Sequence, residues 1–245
     1  MADHGKLFSA PMLRALLAGT KTQTRRTIGE VRVLATPESA AFTLRGDALA
    51  RAMQNAAGFL RVEDDIWTWE ADAYWHQAPV TRTRWNARIG HAPGDRLWVR
   101  EAWRAPMNFD RTKPRDIPAG SVVSYEAGGD GINLSGKRRA SMHMPRWASR
   151  LTLPVTEVRV QRLQDITEND ALAEGVVPHP NGGFWVPGVE HPNPDFPYLS
   201  RPTAREMYAA LWDVLNGSGA WGANPWVTVT SFTVRHRNID EADDG

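Results

Sequence analysis

Apolar residues recur at helical spacing in several segments, and each pattern predicts a helix. The first helix follows Ser9, a favoured N-cap residue, and stops at Gly19, which can adopt a left-handed conformation. The last begins with a capping box of Thr203 and Glu206. The predicted helices cover residues 11–18, 47–57, 165–174 and 203–215, the last with Met207, Leu211, Val214 and Leu215 as its core stripe.

Alternating apolar and polar residues predict strands at 6–8, 94–104, 121–126, 151–163 and 225–235, and Trp67 and Trp69 alternate around Thr68 in the same way. In the second of these strands Glu101 lies on the face of Leu97 and Val99, so this acid must be paired, hydrogen-bonded or functional. In the strand over 151–163 the apolar face switches near Thr156, which indicates a bulge.

The order of these elements favours an α+β fold. Regular crossover helices do not separate the strands, so a doubly wound parallel sheet does not fit. A small, mostly antiparallel β-barrel with a few flanking helices fits better.

Composition narrows the function classes. The 245 residues include no cysteine, which excludes disulfides, thiolate metal sites and a cysteine nucleophile. The net charge is +1, and without the four acids of residues 240–245 it is +5, so the body of the chain is mildly basic. The chain has no apolar segment long enough for a bilayer and starts without a signal-peptide pattern, so we expect a cytoplasmic protein with no membrane partner.

A dense polar run follows the first helix. Lys21, Thr24, Arg25 and Arg26 lie within six positions. A threonine hydroxyl needs a base to attack a substrate, and a lysine can be that base only when it is neutral. The two arginines would lower the pKa of Lys21, so the elements of a hydrolytic site are present. In a straight strand Lys21 and Thr24 point to opposite faces, so a shared site requires a turn or bulge between them.

The other chemical signals are weaker. Residues 137–150 contain five cations and no acid, and they either bind phosphates or form a solvated surface with arginine stacked on tryptophan. The candidate nucleic-acid contacts there are Lys137, Arg138, Arg139, Arg146 and Trp147. His179 and His191 match no familiar ligand spacing, and we expect no metal.

Four motifs together resemble the ASCH domain family. They are L-L-A-G-T-K-T-Q-T-R-R, a G-D-x-L strand, a V-x-x-V-x-V-x-x-L strand and a D-I-T-E-x-x-A-x-x-E-G helix. The similarity covers residues 6–27, 94–104, 146–176 and 203–235. It implies a PUA-like β-barrel, and the chain looks most like a longer, phage- or prophage-type member.

Compact bacterial members of that family include N4-acetylcytidine amidohydrolases, which remove acyl groups from N4-acylated cytosine nucleosides or bases. The resemblance places their lysine, threonine and glutamate at Lys21, Thr24 and Glu174. It implies that Thr24 attacks the acyl carbonyl, Lys21 activates it, and Glu174 orients Lys21 or handles the leaving group's proton. No cofactor is implied, and we expect a monomer.

The chain departs from compact members by insertions at residues 28–93, 105–145 and 177–200. We therefore expect a single domain over 1–239 with a flexible acidic tail at 240–245. Arg25, Arg26, Arg100 and Glu101 are candidate substrate-binding residues. Two alternatives stay open: a non-catalytic protein that binds RNA, DNA or a modified base, and a phage-associated interaction protein that has lost the activity.

Overall fold

A computed structural model describes residues 1–34, 41–53, 56, 58–63, 65–75, 78–88, 90–128, 131–196 and 198–241. The α-helices are α1 (Ala10–Leu17), α2 (Gly46–Met53), α3 (Glu168–Ala173) and α4 (Ala204–Asn216). The strands are β1 (Asp3–Leu7), β2 (Gln23–Thr27), β3 (Glu30–Val33), β4 (Phe42–Arg45), β5 (Leu60–Glu63), β6 (Ile66–Trp75), β7 (Ala78–Arg88), β8 (Arg96–Arg100), β9 (Trp103–Arg104), β10 (Ser124–Tyr125), β11 (Arg138–Arg139), β12 (Thr152–Arg162), β13 (Val177–Pro178), β14 (Phe184–Trp185), β15 (Ser200–Arg201) and β16 (Trp226–Phe232). A few short helices and many strands confirm the α+β class.

The principal sheet has the order β1-β8-β12-β16-β2. Only the β1–β8 pair of this sheet is parallel, so the expected antiparallel character is confirmed. Among the described residues the ladder does not close into a ring, and the expected barrel is not confirmed. The edge strands β1 and β2 meet through a side chain instead, because the Arg26 guanidinium donates to the Leu7 carbonyl.

The bulge predicted in the long strand β12 is present. Its register against β16 shifts between Val155 and Glu157, and Thr156 between them is exposed. Residues 152–154 pair with β8, whereas residues from Val155 onward pair with β16. The extra residue therefore turns β12 from one neighbour to the other.

The insertion after β2 forms a second sheet rather than a loop. Its order is β4-β3-β7-β6-β5, and α2 packs on it. Trp67 and Trp69 are buried as the alternation predicted, and both belong to the same apolar core as the principal sheet. The helix predicted over 47–57 is Gly46–Met53, and residues 54, 55 and 57 lie outside the described part of the chain.

A small separate core organises the next insertion. Trp103 packs there with Ile117, Val123, Met144 and Ala148, and three 3₁₀ turns fall within residues 107–143. The strand predicted over 121–126 shortens to Ser124–Tyr125. Residues 177–201 contribute only the two-residue strands β13, β14 and β15.

Helix α4 has the predicted capping box, and Met207 and Leu211 of the predicted core stripe are buried. Val214 and Leu215 are 43% and 55% exposed, so their assignment to the core was wrong. The buried stripe is instead Met207, Tyr208, Leu211 and Trp212. Val214 comes two positions after Trp212 and is rotated by about 200° around the helix, which turns it to solvent.

The acidic C-terminal tail is described only as far as residue 241. Asp240, expected in the flexible tail, lies 2.6 Å from the Arg146 guanidinium, whereas residues 242–245 lie outside the described part. None of the described helices combines the length and the apolar character that a bilayer span requires.

Candidate active-site cavity

A cavity of about 290 Å³ lies between β2, the end of β1, α1 and α4. Lys21, Thr24 and Glu174 all line it, together with Arg25 and Arg26. The structure thus brings together five of the residues that the sequence singled out. Its remaining walls include Phe8, Met12, Tyr208, Leu211, Trp212 and Leu215.

Backbone hydrogen bonds fix Lys21 where three elements meet. Its N–H donates to the Ala15 carbonyl at the end of α1, and the N–H of Thr22 donates to the Ala173 carbonyl at the end of α3. The Thr22 carbonyl accepts from the N–H of Phe232 on β16. Strand β2 starts only at Gln23, so Lys21 precedes the regular strand and the interruption that a shared site required is present.

Glu174 approaches from α3, whose capping box of Thr167 and Asp170 sets the start of the helix. Glu174 is the C-cap residue, and Gly175 ends the helix with a φ of +100°. A Cβ on Gly175 would lie 3.0 Å from the Ala15 Cβ, so glycine is needed for both the dihedral angle and the close approach. Lys21 and Glu174 then pair as an isolated antiparallel bridge.

Lys21 and Glu174 also form a buried ion pair. Lys21 Nζ lies 2.6 Å from Glu174 Oε2 and 2.9 Å from the Glu174 carbonyl oxygen, and the residues are 1% and 3% exposed. Burial lowers the pKa of Lys21, the Glu174 charge and hydrogen bond raise it, and the charges of Arg26 and Arg25 lower it again. The net direction is downward, which favours a neutral lysine more than water does.

Arg25 completes a charge network on the other side of Glu174. Its Nη1 lies 3.2 Å from Glu174 Oε1, and its Nη2 lies 3.0 Å from Asp170 Oδ2. Asp170 in turn pairs with Arg159 at 3.0 Å. Burial would raise the pKa of Asp170, but the Thr167 N–H and the Arg25 charge outweigh it and lower that pKa. The Glu174 carboxylate is therefore held between two cations in a fixed orientation.

Thr24 is the hydroxyl residue predicted for catalysis, and it lines the cavity together with Ser9, Thr27 and Tyr208. It is buried in β2 opposite Thr230 of β16. Both hydrogen bonds given above for Lys21 Nζ go to Glu174, so in this arrangement the ammonium is engaged by Glu174 rather than by Thr24. An ammonium has a third N–H, which can be directed to a cavity ligand or to Thr24.

Tyr208 and Trp212 are cavity residues that the sequence interpretation missed. Tyr208 is buried, and the Arg25 guanidinium lies 5.9 Å from its ring centre. Burial, and then the Glu174 charge, raises the Tyr208 pKa well above its usual value, so the phenol keeps its proton. The sequence did contain a signal for this wall of the cavity. At helical spacing it has Tyr208, Leu211, Trp212 and Leu215, and all four line the cavity.

Arg100 and Glu101 are not brought into the cavity. Glu101 is buried, and Arg150 binds it through two hydrogen bonds of 2.9 Å. Arg100 stacks on Trp98 and donates to the Met142 carbonyl. The inward-pointing acid therefore has a partner within the fold, which was one of the outcomes expected for it.

Most cations of residues 137–150 contact other parts of the same chain. Arg139 is buried, donates to the carbonyls of Phe109 and Thr112, and stacks on Trp103. Arg146 binds Asp3 and Asp240. Trp147 packs edge-on against Trp103. Lys137 and Arg138 are exposed, and Arg138 lies 3.7 Å from Glu126.

Other polar groups offer little that could hold a metal. His179 stacks on Tyr198 and packs against Trp185, whereas His191 bonds within its own loop to Asn193. Within the described ranges, no group of three or more histidine, cysteine, aspartate or glutamate side chains is arranged to hold a metal ion.

Comparison with known proteins adds no relative. A scan against protein-family models, a search of curated proteins and a search of solved structures each find no match for this chain. The residues of the cavity are therefore the basis for assigning a function.

Proposed function

We propose that this protein is an amidohydrolase that removes an acyl group from N4-acylated cytosine nucleosides or bases. One observation carries the proposal: Lys21 and Thr24 line one cavity with Glu174, which is 153 positions after Lys21, and Lys21 Nζ lies 2.6 Å from Glu174 Oε2. A hydroxyl nucleophile, an amine whose pKa is lowered and a carboxylate that orients the amine are the parts that acyl transfer needs.

The proposal includes an ASCH-type core with a PUA-like arrangement of the principal sheet. Its support is the approach of the edge strands β1 and β2, which Arg26 bridges through the Leu7 carbonyl. The cavity lies at this junction, lined by Leu7 and Phe8 on one side and by Thr24 and Thr27 on the other. The open edge of the sheet is thus the entrance to the site.

In the first half of the reaction, Thr24 Oγ attacks the carbonyl carbon of the acyl amide. Neutral Lys21 accepts the hydroxyl proton, and the cations of the cavity stabilise the negative carbonyl oxygen. When the intermediate collapses, the C–N bond breaks, and the protonated Lys21 returns its proton to the leaving amino nitrogen. The products are the free cytosine amine and an acyl ester on Thr24.

In the second half, water attacks the ester and Lys21 accepts a proton from it. The C–O bond to Thr24 breaks, and Lys21 then protonates Thr24 Oγ. Across both halves one water is consumed, and one amine and one carboxylic acid are released. Glu174 keeps Lys21 Nζ in place through its carboxylate and its carbonyl and does not itself change protonation state.

The dimensions of the cavity agree with a small substrate. About 290 Å³ lies just below the range, roughly 300–1,000 Å³, that is usual for small-molecule sites. Tyr208 and Trp212 provide an aromatic wall and Met12 and Leu211 an aliphatic one, which suits a planar base with a short acyl group.

The test is hydrolysis of N4-acetylcytidine by the purified protein, followed as release of cytidine. We expect turnover by the native protein and by Thr24→Ser, which keeps a hydroxyl. Thr24→Val has nearly the same shape without the hydroxyl and should lose activity by at least about a thousandfold, as should Lys21→Ala. Native turnover no faster than that of Lys21→Ala would refute the proposal.

The alternative of a nucleic-acid binder has less support. Arg139, Arg146 and Trp147 are used in contacts within the fold, which leaves Lys137 and Arg138 as the exposed members of that candidate surface. Salt-dependent binding of RNA or DNA without any hydrolysis of N4-acetylcytidine would favour it.

A further inference from the structure

The positive charge of the cavity is unevenly neutralised. Lys21 and Arg25 face carboxylates, since Glu174 contacts both and Asp170 also contacts Arg25. Arg26 instead contacts a backbone carbonyl and the ring of Phe8, which lies 5.5 Å from its guanidinium. It is exposed at the cavity entrance.

A second cation, Lys6, adds positive charge near Arg26. Lys6 lies one residue before Leu7, whose carbonyl Arg26 binds, and its side chain is partly buried. Burial lowers the pKa of Lys6, and the charge of Arg26 lowers it further. Two like charges held together in this way create a local positive potential that an anion would relieve.

We propose that Arg26 binds a phosphate group of the substrate, so that the cavity takes an N4-acylcytidine nucleotide in preference to the nucleoside. This inference rests on the proposed function. Thr24 and Arg26 are two positions apart on one face of β2, which places their Cα atoms roughly 6.5 Å apart. The acyl end of the substrate then lies at Lys21 and Thr24, and the phosphate lies at the entrance.

Arginine suits this role. Its planar guanidinium can donate two parallel hydrogen bonds to phosphate oxygens, and stacking on Phe8 holds the plane in one orientation. The phosphate can belong to a free 5′-monophosphate or to an RNA strand, because both present the same oxygens at the entrance.

The experiment compares kcat/KM for N4-acetylcytidine, its 5′-monophosphate and a short RNA with a single N4-acetylcytidine. We expect the native protein to prefer one or both phosphorylated substrates over the nucleoside by at least about tenfold, mainly through KM. A higher value for the RNA identifies a strand as the source, and a higher value for the monophosphate identifies a free nucleotide. Equal values for all three would overturn the proposal.

Variants assign the preference to Arg26. Arg26→Gln keeps a donor for the Leu7 carbonyl without the charge, so it should lower kcat/KM for the phosphorylated substrates by at least about tenfold more than for the nucleoside and thereby abolish the preference. Arg26→Lys should keep part of the preference for phosphorylated substrates. Arg111→Gln is the charge-matched control, because it removes an exposed cation outside the cavity lining. It should keep the full preference for phosphorylated substrates. A loss by Arg26→Gln that is equal for all substrates would contradict a phosphate contact.

A binding measurement separates this inference from the proposed function. Calorimetry with Thr24→Val compares cytidine 5′-monophosphate with cytidine. If no acylated substrate is hydrolysed, the amidohydrolase proposal fails, yet tighter binding of the monophosphate that Arg26→Gln abolishes would still support the phosphate site. Equal binding of cytidine 5′-monophosphate and cytidine would refute the phosphate site.

Discussion

Lys21 Nζ lies 2.6 Å from Glu174 Oε2, and the backbones of the same two residues form an antiparallel bridge although 153 positions separate them. Main chain and side chain therefore both join the pair. The ends of α1 and α3 determine the backbone contact, and the side-chain contact follows from it. Such a site has little freedom to rearrange when a ligand enters.

Removal of one partner of this pair should cost more than removal of both. Lys21→Met leaves a buried carboxylate with Arg25 as its cation, and we expect the free energy of unfolding to fall by about 3 kcal/mol. In the double variant Lys21→Met/Glu174→Gln the carboxylate left without Lys21 is gone and Arg25 keeps Asp170 as its partner, so part of the loss should be recovered. Urea unfolding of the native protein, both single variants and the double variant measures this coupling, and additive losses would contradict it.

Gly175→Ala should disturb the site through the backbone. The φ of +100° and the 3.0 Å approach to Ala15 both disfavour a Cβ, so we expect a loss of about 2 kcal/mol in unfolding free energy and lower hydrolytic activity. Gly219→Ala is the matched control, because Gly219 has a φ of +83° with open space around it. Equal losses in the two variants would show that crowding at Gly175 is unimportant.

A single cysteine can report on the Thr24 position without any substrate. The chain contains no cysteine, so Thr24→Cys introduces one thiol beside Lys21, Arg25 and Arg26. Nearby cations stabilise the thiolate, so we expect a thiol pKa below the usual value of about 8.5. The pH dependence of alkylation by iodoacetamide measures it, with the exposed Thr156→Cys as control. Adding Lys21→Met should raise the thiol pKa, and an unchanged value would argue against their contact.

His91 should make the protein sensitive to mild acid. It is 4% exposed, Thr230 Oγ1 lies 2.8 Å from its Nε2, and burial, followed by the charges of Lys6 and His4, lowers its pKa to about 4. Between pH 6.5 and 4 the unfolded chain binds a proton that the native state does not, so the free energy of unfolding should fall as the pH is lowered. A shift of about 2.5 units corresponds to a loss of about 3 kcal/mol at most.

The measurement for His91 is urea unfolding between pH 7 and 4. His91→Gln keeps a group that can hydrogen-bond Thr230 but does not titrate, so its stability should change less over this range. A parallel decline in the native protein and the variant would assign the acid sensitivity to other groups, such as the carboxylates whose pKa values are lowered by ion pairs.

The elements with local signals could be predicted well. The capping box at Thr203 carries its own hydrogen-bond partner, Glu206, within three residues, and it is present. The bulge at Thr156 also followed from the switch in apolar faces. Where the signal was not local the prediction failed, as at Val214 and Leu215, whose exposure depends on what α4 packs against.

The sequence by itself determined the α+β class, the capped start of α4 and the residue types of the candidate site, because periodicity and capping act over a few neighbouring residues. Only the tertiary structure decided that the segment after β2 folds into a second sheet, that Glu101 pairs with Arg150, and that Lys21, Thr24 and Glu174 line one cavity. Those outcomes depend on contacts between residues up to 153 positions apart, which the packing of the whole chain selects and no local pattern encodes.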